Sequence, residues 1–287
     1  MVLPQFEYLA PATLEEACKL LADLGTGVKA MAGATDLIPP MKDKVITPEY
    51  LVDLKNIPGL DYLEYDEEEG LKIGALTTLR EIEKSALVQE KNPAVAHAAK
   101  VVASTQIRAK GTMVGNICNA SPSCDTAPIL LANGAKILVQ GVEGTREIGI
   151  DDFFLGVKKT ALQPGEIVTG IVVPPLKEGE SDAYIKHAVR KAMDLAIIGV
   201  ACKIKVEDGI CKAARIALGA VATTPIRATK AEEILIGKEL TDEVIAEAAQ
   251  AAMDSCSPIS DIRASKEYRK AMIGVFTKRA IKQALEA

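Results

Sequence analysis

Two short segments carry residue types suited to holding a phosphate. Residues 30–37 read AMAGATDL. An extended run ends there, Gly33 permits a tight turn, and the N–H groups that follow can converge on an anion. Thr35 adds a hydroxyl donor. Residues 111–116 read GTMVGN, where Thr112, Gly115 and Asn116 offer a hydroxyl, a permissive backbone and an amide. Neither segment is a Rossmann G-x-G-x-x-G or a Walker G-x-x-x-x-G-K-[ST], and neither motif occurs elsewhere in the chain. Taken singly, a loop of either kind is more often just a Gly/Asn turn than a ligand loop. Other chemistries lack their residues. His97 and His187 stand in no partner motif, and no H-E-x-x-H, Ser/His/Asp set or paired catalytic carboxylates are evident. The six cysteines include no C-x-x-C, and the spacing of Cys118 and Cys124 suits neither zinc nor an iron–sulfur cluster. A protein without a metal of its own is expected.

The surrounding pattern supplies the elements that must position these loops. Thr13 and Glu16 form a capping-box pattern that opens a helix with Leu14, Ala17, Cys18 and Leu21 on one face, stopped by Gly25. Strands are expected over 28–32, 50–54 and 71–73, and helices over 78–85 and 94–102. Residues 104–122 read as a long irregular, polar segment, of the kind that is usually functional. A short helix over 125–132 follows, for which Asp125 is placed as N-cap. Paired strands are expected over 135–140 and 145–148, and another over 166–173. Pro174 and Pro175, followed by KEGESD, mark the expected boundary between a domain over 1–175, with subdomains of about 1–55 and 56–175, and a domain over 176–287. In the latter, apolar runs over 197–206 and 210–219 flank Asp208-Gly209, a hairpin signal, and helices over 229–236, from Thr241, and over 265–285 finish the chain.

Bulk properties narrow the function classes. In 287 residues, 48% are hydrophobic, enough to bury a sizeable core and too many for a disordered chain. The net charge of −5 argues against nucleic acid as a partner, since phosphate backbones demand a basic surface. No apolar run is long enough to span a bilayer, and no targeting segment is evident, so the expected compartment is the cytoplasm.

Read together, the pieces become specific. The second loop continues as GNICNASPSCDTAP, which resembles the G-N-x-x-x-x-S-P-x-x-D signature of the FAD-binding subunits of molybdenum hydroxylases, the group of xanthine, nicotinate and carbon monoxide dehydrogenases. AGATDL resembles the A-G-G-T-D-L pyrophosphate loop of the same family. FEYLAPATLEEACKLL, LKIGALTTLREIE, QIRAKGTMVGN, PGEIVTGIVVP and KHAVRKAMDLAIIGVA fall in the family's order, so the resemblance spans nearly the whole chain.

The resemblance implies an α+β protein: a PCMH-type FAD-binding fold of two α/β subdomains, followed by an α+β domain of antiparallel sheet and helices. It implies FAD as cofactor, with Lys29, Ala30, Met31, Ala32, Gly33, Ala34, Thr35, Asp36 and Leu37 wrapping the pyrophosphate. Thr112, Met113, Val114, Gly115 and Asn116 would form a second pyrophosphate loop. Asp125 would accept hydrogen bonds from FAD hydroxyls, Ile167 and Val168 would line the pocket, and Lys186 would place a cation near the cofactor. Leu195 would lie over the isoalloxazine ring, with Val102 nearby. It further implies an iron–sulfur small subunit with two [2Fe–2S] clusters, a large subunit with the molybdenum cofactor, and an acceptor such as NAD. Some relatives carry aromatic residues at the positions of Leu195 and Val102. The family usually has paired glycines where this chain has Gly33-Ala34 and Val114-Gly115. Alanine is a mild change if φ at 34 is negative, and Val114 is expected to take an extended angle, because a β-branched residue disfavours positive φ. Two other readings stand beside this one: a free-standing FAD oxidoreductase of the same fold, and a non-catalytic nucleotide-binding assembly protein.

Overall fold

The computed structural model describes residues 2–287 and arranges them around three main sheets. The first begins with strand β1 (Glu7–Leu9), helix α1 (Leu14–Leu24), strand β2 (Val28–Met31), helix α2 (Ile38–Lys42) and strand β3 (Tyr50–Asp53). Its order β1-β3-β2 is parallel throughout. Thr13 caps α1 by accepting from the N–H of Glu16, while the Glu16 carboxylate takes the N–H of Ala12. The parallel pairing matters for function. It brings the carboxyl end of β2, and the 32–37 loop that follows it, to one edge of the sheet, where open α/β layers bind ligands.

The next segment holds strands β4 (Leu63–Asp66) and β5 (Gly70–Gly74), and helices α3 (Leu79–Lys84), α4 (Ala86–Lys91) and α5 (Pro93–Lys100). The short helices α6 (Thr105–Arg108), α7 (Met113–Cys118) and α8 (Ala127–Asn133) follow. Strands β6 (Lys136–Gly141) and β7 (Gly144–Gly149), helix α9 (Ile150–Phe153), the small strands β8 (Phe154–Gly156) and β9 (Lys159–Thr160), and strand β10 (Ile167–Val173) complete it. The antiparallel sheet runs β4-β5-β10-β6-β7. Two expectations need correction here. Residues 104–122 are not irregular, because two single-turn helices are folded into them. Ser104 caps α6 through the N–H of Ile107, and Thr112 caps α7 through the N–H of Gly115. The Gly and Asn residues there weaken helix propensity, so the turns rest on these caps and on the burial of Met113, Val114 and Ile117. Asp125 is not an N-cap. That position falls to Thr126, which makes no side-chain capping bond.

The third sheet, strands β11 (Glu180–His187), β12 (Ile198–Glu207), β13 (Ile210–Gly219) and β14 (Ile226–Arg227), is antiparallel in sequence order. Helices α10 (Thr229–Leu235) and α12 (Lys266–Leu285) pack on it, and α11 (Asp242–Asp254) packs on those two helices. Every residue of α8 is buried, which suits a helix apolar on all sides. It lies between the first core and the third sheet, and Arg215 on β13 reaches across to the carbonyl of Leu131. No helix is long and apolar enough to cross a membrane among the described residues.

Candidate functional site: a cofactor cleft

The two glycine-bearing loops meet backbone to backbone. A Cβ on Gly33 would stand 1.9 Å from the Lys110 carbonyl oxygen and 2.9 Å from Gly111 Cα, so only glycine permits this approach. The Thr35 hydroxyl closes on Gly111 from the other side. The interlocked loops form one wall of a cleft of about 780 Å³, within the roughly 300–1,000 Å³ typical of ligand sites. Residues 102–104, the start of α7, the 118–125 turn and the 193–195 connection supply the rest.

The floor is rich in donors. The backbone N–H groups of Gly33, Ala34, Thr35 and Asp36 have no hydrogen-bond partner among the described residues, while Leu37 and Ile38 donate back to the Ala34 carbonyl. Ala34 takes φ +59° to make this turn, so the alanine is held in the left-handed region rather than at a negative angle. Successive N–H groups pointing one way around such a residue form a concave anion site. At the second loop, Val114 lies in the first turn of α7, in helical rather than extended backbone. Its side chain turns into the core and is 5% exposed. The N–H group of Val114 is a first-turn donor without a partner among the described residues. Four non-glycine residues at positive φ, Ala34, Ala103, Lys158 and Met193, line the cleft. Strained backbone persists only where its surroundings over-determine it, and it gathers at functional sites.

The polar side chains are themselves held. Asn116 Oδ1 accepts from Thr126 Oγ1 at 2.8 Å and from Cys124 Sγ at 3.0 Å, which fixes the amide and leaves its Nδ2 donors unpaired at the cleft. Asp125 lines the cleft and is buried; Oδ2 accepts from Lys186 Nζ at 2.7 Å and Oδ1 from the Tyr184 hydroxyl at 3.4 Å. Desolvation pushes its carboxyl up to about 6 despite the Lys186 ammonium. Burial also raises both neighbouring thiols, Cys118 to about 12 and Cys124 to about 11, so neither is a nucleophile near neutral pH. His97 is desolvated beside Tyr184, which favours its neutral form, and His187 stacks on Phe276 away from the cleft.

Among the residues singled out in the sequence, Lys29 to Leu37, Val102, Thr112, Gly115, Asn116, Asp125 and Leu195 all border this one cleft. Met113, Val114, Ile167, Val168 and Lys186 lie outside its lining. Ile167 and Val168 are packed in the core on β10, 4% and 3% exposed, so their side chains do not line the pocket. The Lys186 ammonium is spent on Asp125 and the Val101 carbonyl. Sequence reasoning missed Ala103, Ser104, Ile107, Ser123, Lys158 and Met193, which also border the cleft. Ile107 lies within the QIRAKGT segment, and only the proximity of 103 and 104 to that segment could have signalled those two. A second cavity, about 640 Å³, lies between α11 and α12.

An extended cleft floored by free N–H groups, with a carboxylate and an amide at its side, fits a dinucleotide: main-chain donors suit a pyrophosphate, and a buried carboxylate suits ribose or ribityl hydroxyls. Comparison with known proteins makes the class particular. Residues 4–176 match the model of the FAD binding domain in molybdopterin dehydrogenase, and residues 183–284 that of the CO dehydrogenase flavoprotein C-terminal domain. The chain is 37% identical to the carbon monoxide dehydrogenase medium chain of Hydrogenophaga pseudoflava over 284 residues, covering 99% of this chain and 98% of that one. It is 34% identical to a xanthine dehydrogenase FAD-binding subunit of Escherichia coli, over 98% of this chain and 96% of the other. Carbon monoxide dehydrogenase of H. pseudoflava superposes with a TM-score of 0.96 over 100% of this chain and 99% of that one, at 37% identity. Quinoline 2-oxidoreductase of Pseudomonas putida does so with 0.92 over 100% and 99%, at 29% identity. The chain belongs to the FAD-binding subunits of the molybdenum hydroxylase family. Its cofactor is FAD, and it is the flavin component of an oxidoreductase.

Proposed function

We propose that this chain takes electrons from the [2Fe–2S] clusters of a small subunit, which a molybdenum-cofactor large subunit supplies from an organic substrate, and passes them to an acceptor such as NAD in the cytoplasm. The observation that carries the cofactor side of this reading is the pair of interlocked loops around Gly33 and Gly111, with free N–H donors facing one cleft. FAD supplies the redox chemistry when bound. The chain's residues bind and orient it. The N–H groups of 33–36 hold the pyrophosphate, with Thr112 to Asn116 as the second phosphate loop. Asp125 accepts from cofactor hydroxyls, and Lys186 keeps that carboxylate in place from behind. Leu195, 49% exposed, and Ile107, 38% exposed, border the cleft at the surface and form the face toward the partner. In this reading residues 1–175 hold the cofactor, and residues 176–287 brace its cleft through Lys186 and Met193.

The test separates the two halves of the reaction. In the assembled complex, Asn116→Ala removes the fixed amide donor, a buried hydrogen bond to ligand worth about 1–3 kcal/mol. FAD should be retained less and reduction of the natural acceptor should fall. Oxidation of the organic substrate, measured with a dye that draws electrons upstream of the flavin, should persist. Loss of dye-linked oxidation in an intact complex would contradict the division of roles. Substrate oxidation by the isolated chain would favour a free-standing flavoenzyme.

A further inference from the structure

Three successive carbonyls at the cleft wall are each held by a different part of the chain. Val101 O accepts from Lys186 Nζ on β11 at 3.0 Å. Val102 O accepts from a guanidinium nitrogen of Arg108 on α6 at 2.9 Å. Ala103 O accepts from the N–H of Met193, in the β11–β12 connection, at 3.2 Å. Between these anchors Ala103 sits at φ +43°, a conformation alanine does not keep unless it is constrained. Val102, Ala103, Ser104 and Ile107 border the cofactor cleft.

Arg108 is the costly member of the set. It is 8% exposed, and its three nitrogens are all spent: Nε on Glu83 at 2.9 Å, one terminal nitrogen on Val102 O, the other on Thr105 Oγ1 at 3.3 Å. Glu83 is buried as well, and Arg80 holds its carboxylate from the solvent side at 3.2 Å. Both arginines hold the Glu83 carboxyl below the usual carboxylate range against the opposing effect of burial. A buried ion pair adds little net stability over apolar packing of the same volume, because both charges must be stripped of water. What the planar fork gives instead is geometry, tying one carbonyl, one carboxylate and one hydroxyl in a fixed relation.

Resting on the assignment of this cleft to FAD, we infer that Arg108 is a positioning residue for the cofactor. Arg108 itself does not line the cleft. It acts through the Val102 carbonyl, holding residues 102–104 in the strained arrangement that shapes the cleft wall.

The test uses the full chain freed of FAD and titrated with FAD. R108M keeps the apolar stem and removes every donor. It should raise the FAD Kd at least about tenfold, the effect of losing one charge-assisted buried hydrogen bond. The absorption band shape of whatever flavin is bound should also change. R108K should lie between, since an ammonium is a point charge and does not reproduce the fork. Adding A103G to R108M should recover part of the affinity, because glycine adopts φ +43° without the alanine's strain. A wild-type Kd and band shape in R108M, whatever its melting temperature, would overturn the inference, as would a double variant no tighter than R108M. Should R108M not fold, R108K is read by the same criteria. A wild-type chain that binds no FAD would instead defeat the assignment on which the inference rests.

Discussion

Gly33→Ala is the sharpest single perturbation of the cleft. The added Cβ would meet the Lys110 carbonyl oxygen at 1.9 Å, the Lys110 carbonyl carbon at 2.6 Å and Gly111 Cα at 2.9 Å, all of them backbone atoms with no side-chain freedom to yield. The loops must separate by about 1.5 Å to restore ordinary contact, and overpacking of this kind costs about 1–3 kcal/mol. Donors displaced by that distance from an anion no longer bond it, since an N···O separation of about 4.4 Å lies outside hydrogen-bonding range. Losing even one charge-assisted bond to the pyrophosphate, about 1.5–3 kcal/mol, weakens binding by roughly ten- to a hundredfold. The assay is FAD titration of the cofactor-free chain, with the melting temperature measured in parallel. Gly149→Ala is the matched control. Gly149 has φ −62°, and its nearest new contact would be a flexible carboxylate oxygen at 3.8 Å. It should bind FAD as the wild type does. A Gly33→Ala chain with unchanged affinity and melting temperature would refute the claim that the loops must touch to build the site.

Three further outcomes are expected. Burial pushes the Asp125 carboxyl up to about 6, so as pH falls from 8 through 6 it takes up a proton, one oxygen becomes a donor, its capacity to accept is reduced, and the FAD Kd rises; Asp125→Asn should remove that dependence. For the cofactor-free fold the sign is opposite. A carboxyl raised above its unfolded value holds its proton more tightly when native, so its contribution to stability falls as pH rises from about 4 through 6, which acid-range melting curves will show. Thr112→Val removes the cap of α7, costing about 1 kcal/mol in denaturant unfolding, and loosens FAD because the second loop is set by that cap. Ala34→Gly relieves an alanine at φ +59° and should not lower the melting temperature, in contrast to Gly33→Ala one residue earlier.

Much of this architecture was legible because it is written locally. Thr13 with Glu16, and Asp208-Gly209 between apolar runs, are short-range signals, and helix α1 and the β12–β13 hairpin stand where they point. The two phosphate-type loops were visible as Gly/Thr/Asn segments, though only their conjunction gave them meaning. What stayed hidden was of two kinds. Helices α6 and α7 are single turns whose polar, glycine-bearing composition masks any period, and their caps at Ser104 and Thr112 were the one local clue. The other kind is long-range. Asp125 meets Lys186 across 61 residues, and Met193 meets Ala103 across the same cleft. Nothing local in DTAP says that its carboxylate will be met by an ammonium from the third sheet rather than capping the helix beside it. Ala34 makes the same point for backbone: alanine in place of the family's glycine left the sign of φ open, and the turn imposes the left-handed region.

The measurement closest to the central claim is the flavin content of the purified chain. The loops around Gly33 and Gly111 are built to hold FAD without a covalent bond, so the protein should be yellow and contain one FAD per chain. Acid precipitation should release all of that FAD into the supernatant, and the stripped chain should take it up again to the same stoichiometry. A colourless chain that does not take up added FAD would contradict the account at its base. Flavin that precipitates with the protein would contradict the non-covalent cradle.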